Sequence, residues 1–236
     1  MITQQEEKDA RKLRILARRL HVPVPEVFWM LEVFDKTGNL LSTHHQRSHS
    51  WTRNAYNHFF VSAAAKSASD NTWAAGKLSL KTTAGVIKFN ALFTIAHAYN
   101  QDLDSPDVND GILTPAGQVT KGIVVGSGLD AESFEDYKLQ TPIAEGVGAG
   151  QLNAVASNLH SISYGALVLA DEQVRYFNNN SGGDVSINEV AIYDGIFADN
   201  VVQLACMVRD HLGATVTLPD TGQCKVTYTF QLTYPA

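Results

Sequence analysis

The stretch Cys224-Lys225-Val226-Thr227-Tyr228-Thr229-Phe230-Gln231-Leu232-Thr233-Tyr234 alternates without a break. Cys224, Val226, Tyr228, Phe230, Leu232 and Tyr234 share one face, and Lys225, Thr227, Thr229, Gln231 and Thr233 share the other. A period of two with β-branched and aromatic residues is the pattern of an antiparallel strand buried on one side.

Working back from it, short β-prone runs recur, separated by Gly and Asn clusters. They are Val119–Val125, Ala154–His160, Gly165–Leu169, Val174–Phe177, Val185–Tyr193, Val201–Val208 and Thr215–Leu218. About eight short strands with this punctuation predict a sandwich or jelly roll. Upstream, Val27–Phe34 reads as a strand and Asp35–Asn39 as a turn. Thr52 to Lys66 reads as a helix with Ala55, Tyr56, Phe59, Phe60 and Ala63 on one face. Lys77–Thr82 and Gly85–Phe89 read as a hairpin, Leu92–Ile95 as an apolar run, and Gln101–Gly111 as a polar loop. The expected fold is mainly β: an antiparallel sandwich or jelly-roll-like domain over 113–236, a small α+β part over 26–112, and a helical arm with a Pro linker over 1–25.

Within 236 residues, 44% are hydrophobic and 18% charged, enough for a sizeable core and against wholesale disorder. The net charge of −6 argues against a general nucleic-acid binder. No apolar run approaches the roughly 20 residues that span a bilayer, and the N-terminus lacks the apolar core of a secretory signal. Cys206 and Cys224 are too few for a disulfide scaffold or a four-cysteine zinc site.

Charge is uneven along the chain. Residues 1–53 carry a balance of +3 and the rest −9. Residues 3–20 read as a helix, with Thr3 and Glu6 spaced as a capping box and Ala10, Leu13, Ala17 and Leu20 on a narrow apolar stripe. Lys8, Arg11, Lys12, Arg14, Arg18 and Arg19 make it strongly basic, and Val22-Pro23-Val24-Pro25 forces an extended exit. Such a helix is either an arm that docks on a partner through Arg11, Leu13, Arg14, Arg18 and Leu20, or an element lying on its own domain.

No enzyme signature emerges. Gly126-Ser127-Gly128-Leu129-Asp130-Ala131 matches a dinucleotide fingerprint in spacing, but no βαβ unit follows, so it reads as a strand-to-strand turn. Gly146, Gly148 and Gly150 read as a loop. His44, His45, His49 and His58 lack companion cysteines or carboxylates for a metal site. Asp102, Asp104, Asp107 and Asp110 fail the EF-hand pattern at Pro106 and Asp107. Ser127 and Ser181 lack the outer glycines of a nucleophile elbow. Asn179-Asn180-Ser181 reads as a turn. No cofactor or metal is expected.

Glu189 stands out. It lies in Val185-Ser186-Ile187-Asn188-Glu189-Val190-Ala191-Ile192-Tyr193, in phase with Val185, Ile187, Ala191 and Tyr193. A carboxylate on an apolar face needs a partner, and Arg209 is the nearest chemical candidate. A bulge that turns Glu189 outward is the alternative.

The C-terminal half resembles a family of tailed-bacteriophage virion proteins. The resemblance rests on Gly126-Ser127-Gly128, Asp136-Tyr137-Lys138-Leu139, 146–151, Arg175 to Gly183, Asn188-Glu189-Val190-Ala191-Ile192-Tyr193, Arg209-Asp210 and Val226-Thr227-Tyr228-Thr229-Phe230. Ala191 stands where that pattern usually has Gly. The resemblance implies a non-enzymatic structural protein of the virion, with no catalytic residues to carry over. It is either an accessory tail, neck or baseplate component or a capsid decoration (cement) protein. Its implied partners are other virion proteins, including capsid, portal or tail subunits, and further copies of itself. Assembly in the host cytoplasm would leave Cys206 and Cys224 reduced, as small core residues. The alternatives are a carbohydrate-binding module of a phage tail, using Trp29, Trp51 or Trp73 as stacking platforms, and a hydrolase.

Overall fold

The computed structural model describes residues 4–90, 112–199 and 201–234. Thr3, Leu92–Ile95, the Gln101–Gly111 loop and its four aspartates lie outside the described residues.

In chain order the elements are α1 (Gln4–Leu20), β1 (Pro25–Phe34), β2 (Leu40–Arg47), α2 (Arg53–Ala63), β3 (Leu80–Lys81), β4 (Ile87–Lys88), β5 (Gly122–Gly126), β6 (Asn153–Ala154), β7 (Ser161–Gly165), β8 (Val168–Asn178), β9 (Val185–Ala198), β10 (Val201–Leu218) and β11 (Gln223–Thr233). The fold is mainly β, and the strand pairings are antiparallel.

Two sheets face each other. The larger runs β2-β1-β11-β8-β6, with β7 also on β8; the smaller runs β10-β9-β5. Across the larger sheet, Trp29 sits opposite Tyr228, and Tyr228 opposite Gln173; Leu31, Val226 and Arg175 form the next rung. These rungs face Ile123, Val125, Val185, Ile187, Val190, Ile192, Val208, Val216 and Leu218 of the smaller sheet, and together they make the main core. Cys206 and Cys224 are free and buried within it and its neighbouring cluster.

β1 pairs with β11 at the centre of the larger sheet. The division expected at residue 112/113 therefore runs through a single sheet. β11 pairs with β8 on one side and with the N-terminal β1 on the other, so the first strand of the chain completes the sheet of the last. Two pairs of expected runs also fuse. Gly165–Leu169 and Val174–Phe177 are parts of one β7–β8 hairpin, turned at Ala166 and Leu167 with φ of 50° and 65°. Val201–Val208 and Thr215–Leu218 are one strand, β10, with register shifts at Cys206/Val208 and His211/Val216.

Helix α2 forms where expected but turned to a different face. Asn54, Ala55, Asn57 and Val61 are buried, while Tyr56, Phe59 and Phe60 are more than half exposed. Amide hydrogen bonds decide this orientation. Asn54 brackets the Lys81 backbone, donating to its carbonyl and accepting from its N–H, and Asn57 donates to the Ser79 carbonyl. The helix is thus stitched to the β3 segment through polar groups, and its aromatic side is left outward.

Helix α1 does not stand off from the body. Arg14 donates to Glu26 at 3.1 Å and to Glu7 at 2.6 Å, and Arg47 pairs with Glu6, Glu7 and Glu26. The expected apolar stripe splits: Ala17 is buried, whereas Leu13 and Leu20 are half or more exposed.

Candidate functional site

Strand β9 changes phase near Asn188. Val185 and Ile187 point into the inter-sheet core, while Glu189 looks to the opposite face with Ala191 and Tyr193. The slip lies opposite the irregularity of β10 between His211 and Val216. Of the two sequence readings, elements of both occur: a local irregularity turns Glu189 off the core face, and the new face is itself buried under the loop after β5.

There the Glu189 carboxylate, fully buried, accepts from the backbone N–H groups of Gly128 (3.1 Å), Gln140 (3.0 Å) and Thr141 (2.9 Å). Arg209 Nε completes its coordination at 2.8 Å. The remaining guanidinium nitrogens donate to Asp136 Oδ2 at 2.7 Å and to the carbonyls of Ala131 and Asp130. Burial alone would lower the Arg209 pKa, but the hydrogen bonds and charges of Asp136 and Glu189 outweigh it and raise the value. A charge pair taken out of water needs this degree of satisfaction.

Gly126 and Gly128 make the approach possible. A Cβ on Gly126 would lie 2.5 Å from Glu189 Oε1, and one on Gly128 would lie 2.6 Å from it. The Gly126-Ser127-Gly128 turn thus admits a carboxylate of the chain itself rather than a pyrophosphate. Nearby, Leu139 N–H donates to the buried Tyr193 hydroxyl, whose pKa burial drives upward. Gly126, Gly128, Asp136, Leu139, Glu189 and Arg209, far apart in sequence, meet at this one place. The contacts of Glu189 and Arg209 are to the chain itself, so the arrangement pins residues 127–141 over the smaller sheet.

Two further buried polar centres had little sequence signal. Arg175, on the inner face of β8, donates to the carbonyls of Val155, Lys121, Ile123, Gln118 and Pro115, and burial lowers its pKa to about 10. Its alternation with Gln173 and Phe177, and its place at the head of the Arg175 to Gly183 stretch, were the only clues. Asp210, on the inner face of β10, receives the Tyr228 hydroxyl at 3.3 Å across the two sheets. Burial raises its pKa to about 6, against the opposing pull of the Ser48 and Ser50 hydroxyls and the His49 imidazole.

The expected arm residues divide. Arg14 is engaged within the chain, while Arg11, Leu13, Arg18 and Leu20 face outward. Leu16 and Val22 join them, and Pro23 and Pro25 share a groove with Trp51, Ala55, Tyr56 and Phe59. The apolar surface of α1 therefore continues through the Pro linker onto α2. Among the described residues, no three His, Cys, Asp or Glu side chains are grouped to hold a metal ion. His45 stacks on Phe28 instead. Trp29 is buried in the core and Trp73 lies beneath Arg53, so of the three tryptophans Trp51 lines the grooves. No helix of the described residues is long and apolar enough to cross a membrane.

No protein-family model, curated protein or solved structure matches the chain at significant similarity.

Proposed function

We propose that this chain is a non-enzymatic assembly protein of a tailed-bacteriophage virion. In this reading it joins copies of itself or other virion subunits as a tail, neck or baseplate accessory or as a capsid decoration protein. One observation carries the proposal. Leu13, Leu16, Leu20, Val22, Tyr56, Phe59 and Phe60 are all half or more exposed along α1, the Pro linker and α2. Large apolar side chains left exposed along neighbouring segments of a folded chain are costly to leave in water, and such a surface suits covering by a partner. The buried Glu189–Arg209 network supports the same reading, because its charges are spent on fixing a loop. The basic residues Arg11 and Arg18 beside Leu13 and Leu20 suit a partner surface that is acidic and apolar, such as the −9 body of another copy.

Light scattering on the purified protein tests this. The expected result is a self-association that Phe59→Glu and Leu16→Glu weaken and that rising salt weakens further. A clean monomer with no affinity for capsid or tail proteins would overturn the proposal.

A further inference from the structure

At one end of the sandwich, a cavity of about 350 Å³ opens between the sheets. Its apolar walls are Trp51, Ile192, Met207, Val208 and Phe230, and its polar side is His160, Asp171, Gln173 and Asp194. That size lies within the range of small-molecule and side-chain sites. The hydrogen bonds inside it are lopsided. His160 Nδ1 lies 2.8 Å from Asp171 Oδ2, and Gln173 Nε2 donates to the same oxygen at 2.9 Å. A carboxylate can only accept, so the Gln173 amide must present Nε2 to Asp171 and turn Oε1 away. Gln173 is 94% buried, since 6% of it is exposed, yet its Oε1 has no partner; nor has the buried Oδ1 of Asp171.

His160 and Gln173 each turn a nitrogen to Asp171 Oδ2, and two acceptors, Asp171 Oδ1 and Gln173 Oε1, remain unmet out of water. Buried acceptors left so are costly, and a ligand that supplies donors relieves them. Asp194 adds a second carboxylate to the lining. A saccharide would bring acceptor oxygens as well as donors, whereas the buried groups left unmet in this part of the cavity are acceptors. A primary ammonium has three donors and no acceptor. Its alkyl stem suits the Trp51, Met207 and Phe230 walls, and a cation is further favoured beside aromatic faces.

We propose that this cavity binds a primary alkylammonium group, held by Asp171 Oδ1 and Gln173 Oε1 with its stem against Trp51 and Phe230. Two sources supply that chemistry: a lysine side chain of a partner protein, or a free aliphatic amine. The inference stands independently of the assembly reading.

Calorimetric titration and saturation-transfer NMR on the full chain test it, with Nα-acetyl-lysine methylamide and 1,5-diaminopentane as separate probes. Both ammonium probes are expected to bind in the millimolar range or tighter, the tighter one identifying the source. The Nε-acetylated form of the lysine probe is expected to bind about tenfold or more weakly, because it loses a charge-assisted hydrogen bond. Gln173→Leu is expected to weaken the ammonium probes by a similar factor, and Gln173→Glu to tighten them, a gain that a misfolded variant cannot give. Absence of binding by both amines, equal binding of the acetylated probe, or binding of D-glucose in preference to the amines would overturn the assignment. The wild-type comparison of free and acetylated probe decides the matter even where a variant does not fold.

Discussion

Glu189 and Arg209 approach to 2.8 Å with side-chain exposures of 0% and 2%, and each holds more than the other. Glu189 collects three loop amides; Arg209 collects Asp136 and two loop carbonyls. Loop 127–141 is thereby tied to β9 through an anion and to β10 through a cation. Glu189→Ala should destabilise the fold by about 3–5 kcal/mol, since a buried arginine loses a partner and three amides lose their acceptor. Glu189→Ala with Arg209→Ala should be less costly than the two losses added, with a coupling of about 1 kcal/mol or more. Recovery should stay incomplete, because the amides remain orphaned. Urea denaturation of the four proteins measures both numbers; strictly additive losses below about 1 kcal/mol would show that the pair does not matter.

Gly128→Ala should cost about 1–3 kcal/mol by overpacking. Its Cβ would meet Gln140 Cβ and Glu189 Oε1 at 2.6 Å, and the buried Glu189 carboxylate is held in place by its four donors. The loss should shrink in the Glu189→Ala background, which empties part of that space. Equal losses in both backgrounds, read from denaturation midpoints, would place the strain elsewhere.

Asp210 predicts a pH dependence. Its folded pKa of about 6 lies above the ordinary 3.8, with burial as the main cause. Below about pH 4 the carboxyl is neutral in both states and carries no penalty. As pH rises from about 4 through 6 the unfolded chain ionises first, and stability falls by on the order of 2–3 kcal/mol. The groups facing Asp210 are Tyr228, Ser48, Ser50, His49 and Glu132. Asp210→Asn should remove this fall, measured as melting temperature between pH 4 and 7 in a His49→Gln background. Parallel curves for the two proteins would refute it.

Removal of residues 1–21 should leave the sandwich folded, with stability changed by about 1 kcal/mol or less. The helix buries Ala17 alone, and its ties to the body are part-buried ion pairs of Glu6, Glu7 and Arg14 with Arg47 and Glu26, which still hold each other once the helix is gone. The same deletion should weaken self-association or particle incorporation. An unfolded truncated protein, judged by circular dichroism, would make α1 part of the core.

The alternation of Cys224–Tyr234 was enough to place a half-buried antiparallel strand, and Gly and Asn punctuation placed most of the others. Fusion of β10 was hidden because Gly213 and its neighbours resemble a turn, although they form an irregular stretch within one strand. The outward aromatics of α2 were illegible for a different reason. Periodicity predicts an apolar side but cannot foresee that Asn54 and Asn57 will find backbone partners across the fold. Glu189 was visible because a carboxylate in an apolar run is conspicuous. The cavity was not, since His160, Asp171 and Gln173 converge with Trp51 only through strand pairing and sheet packing.

The central claim is that the chain is a virion component that assembles through the α1–α2 face. Quantitative mass spectrometry of purified particles, grown with the wild-type chain or with Leu16→Glu and Phe59→Glu together, tests it most directly. The account predicts multiple copies per particle for the wild type, hundreds for a decoration protein or a few dozen for a tail or neck protein, as virion components act by repetition. It also predicts strong depletion for the double variant, with both proteins equally folded in solution. A chain found in the infected cell but absent from purified particles, or a double variant incorporated as well as the wild type, would contradict it.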